Sequence, residues 1–320
     1  MTDNKARSFT PQHKGTSRTA EVVCFGMITP AVVLVVEDFP PHNTGMPIRE
    51  IGEFISDDAA LVAYILQKWG IQSGLIGTAL GDDNAGHRVA HQLKELGVMG
   101  DIRFSENIRT PFEVNISDPS GARTYFWQRS SEVLETLNDT DLSLLEGANL
   151  LYVDWYDGNH ILRPIEAASQ LNVPVFLNLE YGHQNIDILR QYTKGVDVCQ
   201  VITDPAQRDS DPVAVARKVR EVGVPTILVT LGIEGCLAVR GQETIRIFSP
   251  KVKVVDGCGA GATFSAGFAY GYLKGWDLEQ TVRFATAAAS LKCTVVGPHA
   301  FPVNKVSALA GQLQIERLSL

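Results

Sequence analysis

From residue 140 onward the chain alternates β-rich and helical segments, and this alternation limits the fold more than any other feature. Strands are predicted at 149–153, 173–179, 197–202, 225–230 and 235–239, and helices at 160–171, 185–192, 211–222 and 262–274. Successive strands separated by helices pair side by side only when each helix crosses one face of the sheet. The expected core is therefore a mostly parallel, doubly wound α/β sheet. The earlier chain adds to it: strands at 22–26 and 74–77, a helix over 59–69 stopped by Gly70, and a helix over 87–96 stopped by Gly97.

Two stretches break the alternation, at about 31–54 and 102–128. The second contains the runs 112–116 and 124–127 around the turn Asp118-Pro119-Ser120-Gly121, a hairpin pattern. Together they read as a small β-sheet lid on the main domain. The full length of 320 residues suits one large α/β domain over 21–320 with this modest insertion. Residues 1–20 are polar, carrying Lys5, Arg7, Lys14 and Arg18 against Asp3, and read as a flexible tail.

Composition removes several function classes. Lys plus Arg is 28 and Asp plus Glu is 36, giving −8, without the basic footprint of a nucleic-acid binder. No apolar run is long enough to cross a membrane. The five cysteines form no CxxC pair and the seven histidines no HxxxH or HExxH spacing, so no metal site is expected. An odd, sparse cysteine count and the lack of a signal-peptide core point to a cytoplasmic location, with organelle targeting by the basic tail left open.

The densest chemical signal is Val255-Asp256-Gly257-Cys258-Gly259-Ala260-Gly261-Ala262-Thr263-Phe264. A strand runs into a glycine-rich turn that opens a helix, aiming free N–H groups and the helix dipole at one spot suited to an anion. A helix start packed tightly on a sheet would use the same small residues. The segment also fits GxGxxA, the dinucleotide fingerprint, with Asp277 twenty residues on; that acid should end a strand, yet it sits between helices.

The segment resembles the second signature of the PfkB/ribokinase family of carbohydrate kinases, D-T-x-G-A-G-D-x-F. Asp256, Gly259, Ala260, Gly261 and Phe264 match; Gly257 stands for Thr and Ala262 for the second Asp. Residues 77–86 resemble the family's I-G-x-x-G-D-D-x-x-G, residues 229–236 its T-x-G-x-x-G nucleotide loop, and residues 287–294 its adenine-side helix. Asp154-Trp155-Tyr156-Asp157-Gly158 and Asp204-Pro205 look closest to the ketohexokinase and sulfofructose-kinase branch. The resemblance covers about 21–315 and implies a ribokinase-like three-layer α/β/α domain with a β lid.

It also implies Mg²⁺-dependent phosphoryl transfer from ATP to the hydroxyl of a small sugar or sugar-like substrate, and a homodimer paired through the lid. Gly259, Ala260 and Gly261 take the anion-hole role, and Thr230, Gly232, Gly235 and Asp204 the nucleotide side. Position 262 is where the family places its base, and an alanine there has no group that accepts a proton. The resemblance thus implies a kinase with impaired or absent catalysis, whether the alanine is natural or introduced. The alternative is a natural pseudokinase that binds nucleotide, sugar phosphate or a protein partner.

The sugar positions depart too. Ala31 stands where an Asp is usual, the G-G-x-x-x-N motif has dissolved into residues 52–58, and N-x-x-E reads Asp204-Pro205-Ala206-Gln207. Asp57 and Asp58 are candidates to replace the lost sugar contacts. Asp154, Asp157, Asn178 and Glu180 fall where a parallel sheet binds ligands, although solvated loops explain them nearly as well. Arg123, in the lid hairpin, either meets substrate phosphate or faces water.

Overall fold

The computed structural model describes residues 19–118, 123–203 and 211–318, with the backbone alone of Arg7–Ser8. Nine described strands form the main sheet, in the order Ile315–Leu318, Glu243–Ile247, Cys236–Arg240, Thr226–Thr230, Val198–Ile202, Val175–Glu180, Leu150–Asp154, Val22–Gly26 and Ser73–Gly77. The six strands from Thr226–Thr230 to Ser73–Gly77 are mutually parallel. The remaining three add antiparallel pairs at one edge.

Strand alternation sorts the side chains onto two faces. Cys24, Tyr152, Phe176, Val198 and Leu228 join one core, packed under helices Asp58–Lys68, Asn84–Leu96, Ala260–Leu273, Leu278–Lys292 and Val303–Ala310. Phe25, Val153, Leu177, Cys199 and Val229 join the other, under Leu162–Gln170, Ile186–Tyr192 and Pro212–Glu221. The result is the expected three-layer ribokinase-like α/β/α domain.

Helix starts follow local capping chemistry. Asp83 accepts from the Gly86 N–H at 2.8 Å and Asp277 from the Gln280 N–H at 2.7 Å. Asp277 thus caps a helix and does not end a strand, which removes the dinucleotide reading. The predicted helix over 160–171 begins differently: a 3₁₀ segment, Trp155–Ile161, kinks at Gly158 before the α-helix Leu162–Gln170.

A separate four-stranded sheet runs Glu50–Ser56, Thr29–Val35, Phe112–Ser117 and Arg123–Gln128. The predicted hairpin is present, pairing Phe112 with Gln128 and Ser117 with Arg123; its turn at 119–122 lies outside the described residues. The lid was expected to take up the whole stretch from 102, but Arg103–Ser105 pairs instead with Leu80–Gly81 and with Arg7–Ser8. The reason is local: Arg103 donates to the Gly77 carbonyl at 3.0 Å and the Thr136 carbonyl at 2.7 Å, anchoring this strand to the main domain. Apart from Arg7–Ser8, the tail expectation falls outside the described residues up to residue 18.

Candidate active site

The glycine-rich turn and the carboxyl edge of the parallel strands meet under the lid. Helix Ala260–Leu273 starts at Gly259, whose φ is +75°. A side chain there would be strained, and its Cβ would lie 2.9 Å from Leu61 Cδ2. Among the described residues the Gly261 and Ala262 N–H groups have no backbone acceptor, whereas the Thr263 N–H bonds the Gly259 carbonyl at 2.9 Å. A Cβ on Gly261 would meet nothing within 4 Å, so space opens there. Free N–H groups, open space and the positive end of a long helix suit an anion. The Ala262 methyl is buried, and the Thr263 hydroxyl donates to Gly259 O at 2.7 Å, so neither acts as a base.

A buried ion pair fixes this turn. Asp256 and Lys292 are both fully buried, 3.0 Å apart, and Lys292 Nζ also donates to the Asp256 carbonyl at 2.7 Å. The Asp256 carboxylate further accepts from Ser117 Oγ at 2.6 Å, Cys258 N at 2.8 Å and Gly297 N at 2.8 Å. Desolvation opposes its charge, but Lys292 and these donors outweigh that and hold the carboxyl below its ordinary range. Ser117 belongs to the lid, so the same carboxylate ties lid to turn.

Opposite lies a wall of carboxylates. Asp154 ends its strand and is buried, as is Asp157 just after it, while Asp58 occupies the first turn of its helix and is only partly covered. Asn178 Nδ2 donates to Asp58 Oδ2 at 3.0 Å, Asp154 Oδ2 at 2.8 Å and Glu180 Oε1 at 2.7 Å. An amide nitrogen carries two hydrogens, so three carboxylates cannot all be fully satisfied by it. Asp157 accepts from the Met27 N–H at 3.2 Å. Asp57 accepts from Thr29 Oγ1 and lies 3.5 Å from Arg129 Nη1. Asp57 and Glu180 both hold left-handed backbone, φ 68° and 50°, strained for residues with side chains.

These carboxyls hold protons more tightly than usual. Burial, then the Glu180 charge, pushes Asp58 up to about 7. Burial followed by the Asp58 charge raises Asp154 well above its ordinary value, and burial followed by the Asp57 charge does the same for Asp157. Arg123 leans in from the lid, 4.0 Å from Cys258 Sγ, and its charge favours ionised Asp58 and Glu180. The sequence-predicted Asp57, Asp58, Asp154, Asp157, Asn178, Glu180 and Arg123 are thus gathered at one cleft.

The proposed nucleotide residues lie along the next strand end. Thr230 closes Thr226–Thr230, with its hydroxyl donating to the Val201 carbonyl at 3.2 Å. Gly232 opens a short 3₁₀ turn that presents Ile233 almost fully to solvent. Gly235 answers a packing demand: a Cβ there would lie 2.0 Å from the Ile247 carbonyl oxygen. Asp204 lies outside the described residues.

Sequence reasoning missed Lys292, Arg129 and Tyr152. A lysine ending an otherwise small and apolar helix segment was the available signal for Lys292. Arg129 and Tyr152 carry no local signal; only the fold brings them to the acids.

Residues 19–305 match the family described as pfkB family carbohydrate kinase. The chain belongs to that family. It is 25% identical over 269 residues to a nucleoside kinase of Methanothermobacter thermautotrophicus, covering 81% of this chain and 84% of that one. Arabidopsis thaliana ribokinase, solved with ribose and ATP, superposes with a TM-score of 0.70 at 22% identity, over 92% of this chain and 99% of that one. A ribokinase-like structure from Agrobacterium tumefaciens gives 0.78 at 22% identity, over 92% and 98%.

Proposed function

We propose that this chain binds ATP and transfers its γ-phosphoryl group to a hydroxyl of a small sugar or nucleoside-like acceptor, with the transfer step impaired at position 262. The observation that carries the reading is the pair of N–H groups at Gly261 and Ala262 that have no backbone partner among the described residues, with open space at Gly261. Phosphoryl transfer asks a protein chiefly to position the reactants and to absorb charge developing on phosphate oxygens. Helix Ala260–Leu273 supplies that charge stabilisation at its start. Asp154, Asp157 and Asn178 suit hydroxyl recognition, since each offers polar atoms held from behind. Thr230, Gly232 and the exposed Ile233 line the nucleotide side. Mg²⁺, when bound, neutralises the phosphates, and Asp204 is its expected neighbour.

Ala262 favours a second reading in which the site binds without turnover, as a pseudokinase. The lid strand Arg123–Gln128 exposes Phe126 and Trp127, which suits pairing with a second copy. The test is ADP release over a panel of ketoses, aldoses and nucleosides, with ATP binding followed by calorimetry. Binding with slow turnover, accelerated in Ala262→Asp, supports the kinase reading. Binding with no turnover in either protein supports the pseudokinase.

A further inference from the structure

Position 262 offers no proton acceptor, but the helix that packs against the turn begins with a carboxylate, Asp58. Asp58 and Leu61 lie three residues apart on one face of their helix, about 4.5 Å along its axis. Leu61 is the side chain that packs against Gly259, so Asp58 stands one helical turn before the residue that meets the turn. Only its Oδ2 is engaged, by Asn178; Oδ1 accepts no hydrogen bond from a described residue. Arg123 bridges the same gap, reaching Cys258 of the turn while its charge acts on Asp58. Unlike the Ala262 methyl, Asp58 is partly open to solvent.

We propose that Asp58 is the general base of this site, taking the acceptor's proton in place of the carboxylate that position 262 lacks. The inference rests on the kinase reading above. The acceptor O–H proton moves to Asp58 Oδ1, the acceptor oxygen bonds the γ-phosphorus, and the bond from that phosphorus to the bridging oxygen breaks. ADP leaves with the bridging electrons, and the Asp58 proton returns to water. The groups facing Asp58 set its titration: Asp57 just before its helix, Asp154 and Glu180 on the strand ends, Tyr152 on the Asp154 strand, and Arg123 from the lid. Asp58 sits near neutrality, where a base is most effective.

The experiment compares the unsubstituted chain, Asp58→Asn, Ala262→Asp and the double variant on the sugar and nucleoside panel, with ATP binding measured for each. Asp58→Asn is expected to lower kcat/KM of the unsubstituted chain about 10²-fold while leaving ATP binding intact. In the Ala262→Asp background the same change should cost under about tenfold, because a second base is present. The unsubstituted chain should gain activity as pH rises through about 7, and Asp58→Asn should lose that inflection. Equal losses in both backgrounds would assign Asp58 a structural role and overturn the proposal. Turnover only when position 262 carries Asp would overturn it while sparing the kinase reading. No turnover from any of the four would overturn both.

Discussion

The two walls of the cleft handle charge in opposite ways. On one side Asp256 is enclosed by Lys292, Ser117 and two backbone N–H groups, and its carboxyl is held ionised. On the other, Asp57, Asp58, Asp154, Asp157 and Glu180 share the guanidiniums of Arg123 and Arg129; burial raises the proton affinity of all five, and neighbouring carboxylate charge adds to it at Asp57, Asp58, Asp154 and Asp157. The first wall is closed on itself and fixes the geometry of the glycine-rich turn. The second crowds carboxyl groups of raised proton affinity around a single amide donor, Asn178.

The largest effect should come from breaking the closed wall. Lys292→Met leaves Asp256 buried without its cation and is expected to destabilise the fold by about 3–5 kcal/mol in urea unfolding. A loss under about 1 kcal/mol would mean the turn does not depend on the pair. Gly259→Ala attacks the same wall through backbone strain and the Leu61 contact. It should cost about 1–3 kcal/mol and weaken ATP binding, and an unchanged unfolding midpoint would contradict the left-handed start of that helix.

The pH dependence separates the walls by sign. Asp58 titrates at about 7 when folded against an ordinary value of 3.8, so the folded state binds more protons between these values. The stability it contributes is complete below the unfolded value and is lost as pH rises through about 7. Asp256 is depressed, so its contribution is present above its unfolded value and is lost as pH falls through the folded one. Thermal midpoints should therefore decline from pH 5 to pH 8, by on the order of 1–2 kcal/mol of stability. Asp58→Asn should flatten that decline, and an unaltered slope would show that Asp58 is not proton-loaded. The smallest effect serves as a reference away from both walls: Asp277→Ala removes one helix cap and should cost about 1 kcal/mol with no change in pH slope.

Much of the frame was legible because its signals are local. Alternating β-rich and helical segments gave the doubly wound sheet, and the Pro-Ser-Gly turn flanked by β-branched and aromatic runs gave the lid hairpin. Asp154, Asn178 and Glu180 were readable as a set because the ends of adjacent parallel strands converge. What the sequence did not reveal depends on distant pairing. Arg103–Ser105 looked like lid until Arg103 reached across to Gly77 and Thr136. Lys292 lies 36 residues from Asp256, and nothing local says that the two are one ion pair. The raised proton affinity of Asp58 arises from burial and from residues on the Val175–Glu180 strand and the lid, so no window of sequence contains it.

The most direct test of the account is ATP-dependent ADP release by this chain and by Ala262→Asp, read together with ATP binding. Both are expected to bind ATP, and the variant to turn over one panel acceptor faster, by less than the roughly 10²–10⁴ of a positioned base because Asp58 already supplies part of that role. Absence of both ATP binding and turnover in the two proteins would contradict it, because the free N–H groups at the start of Ala260–Leu273 would then have no phosphate to hold.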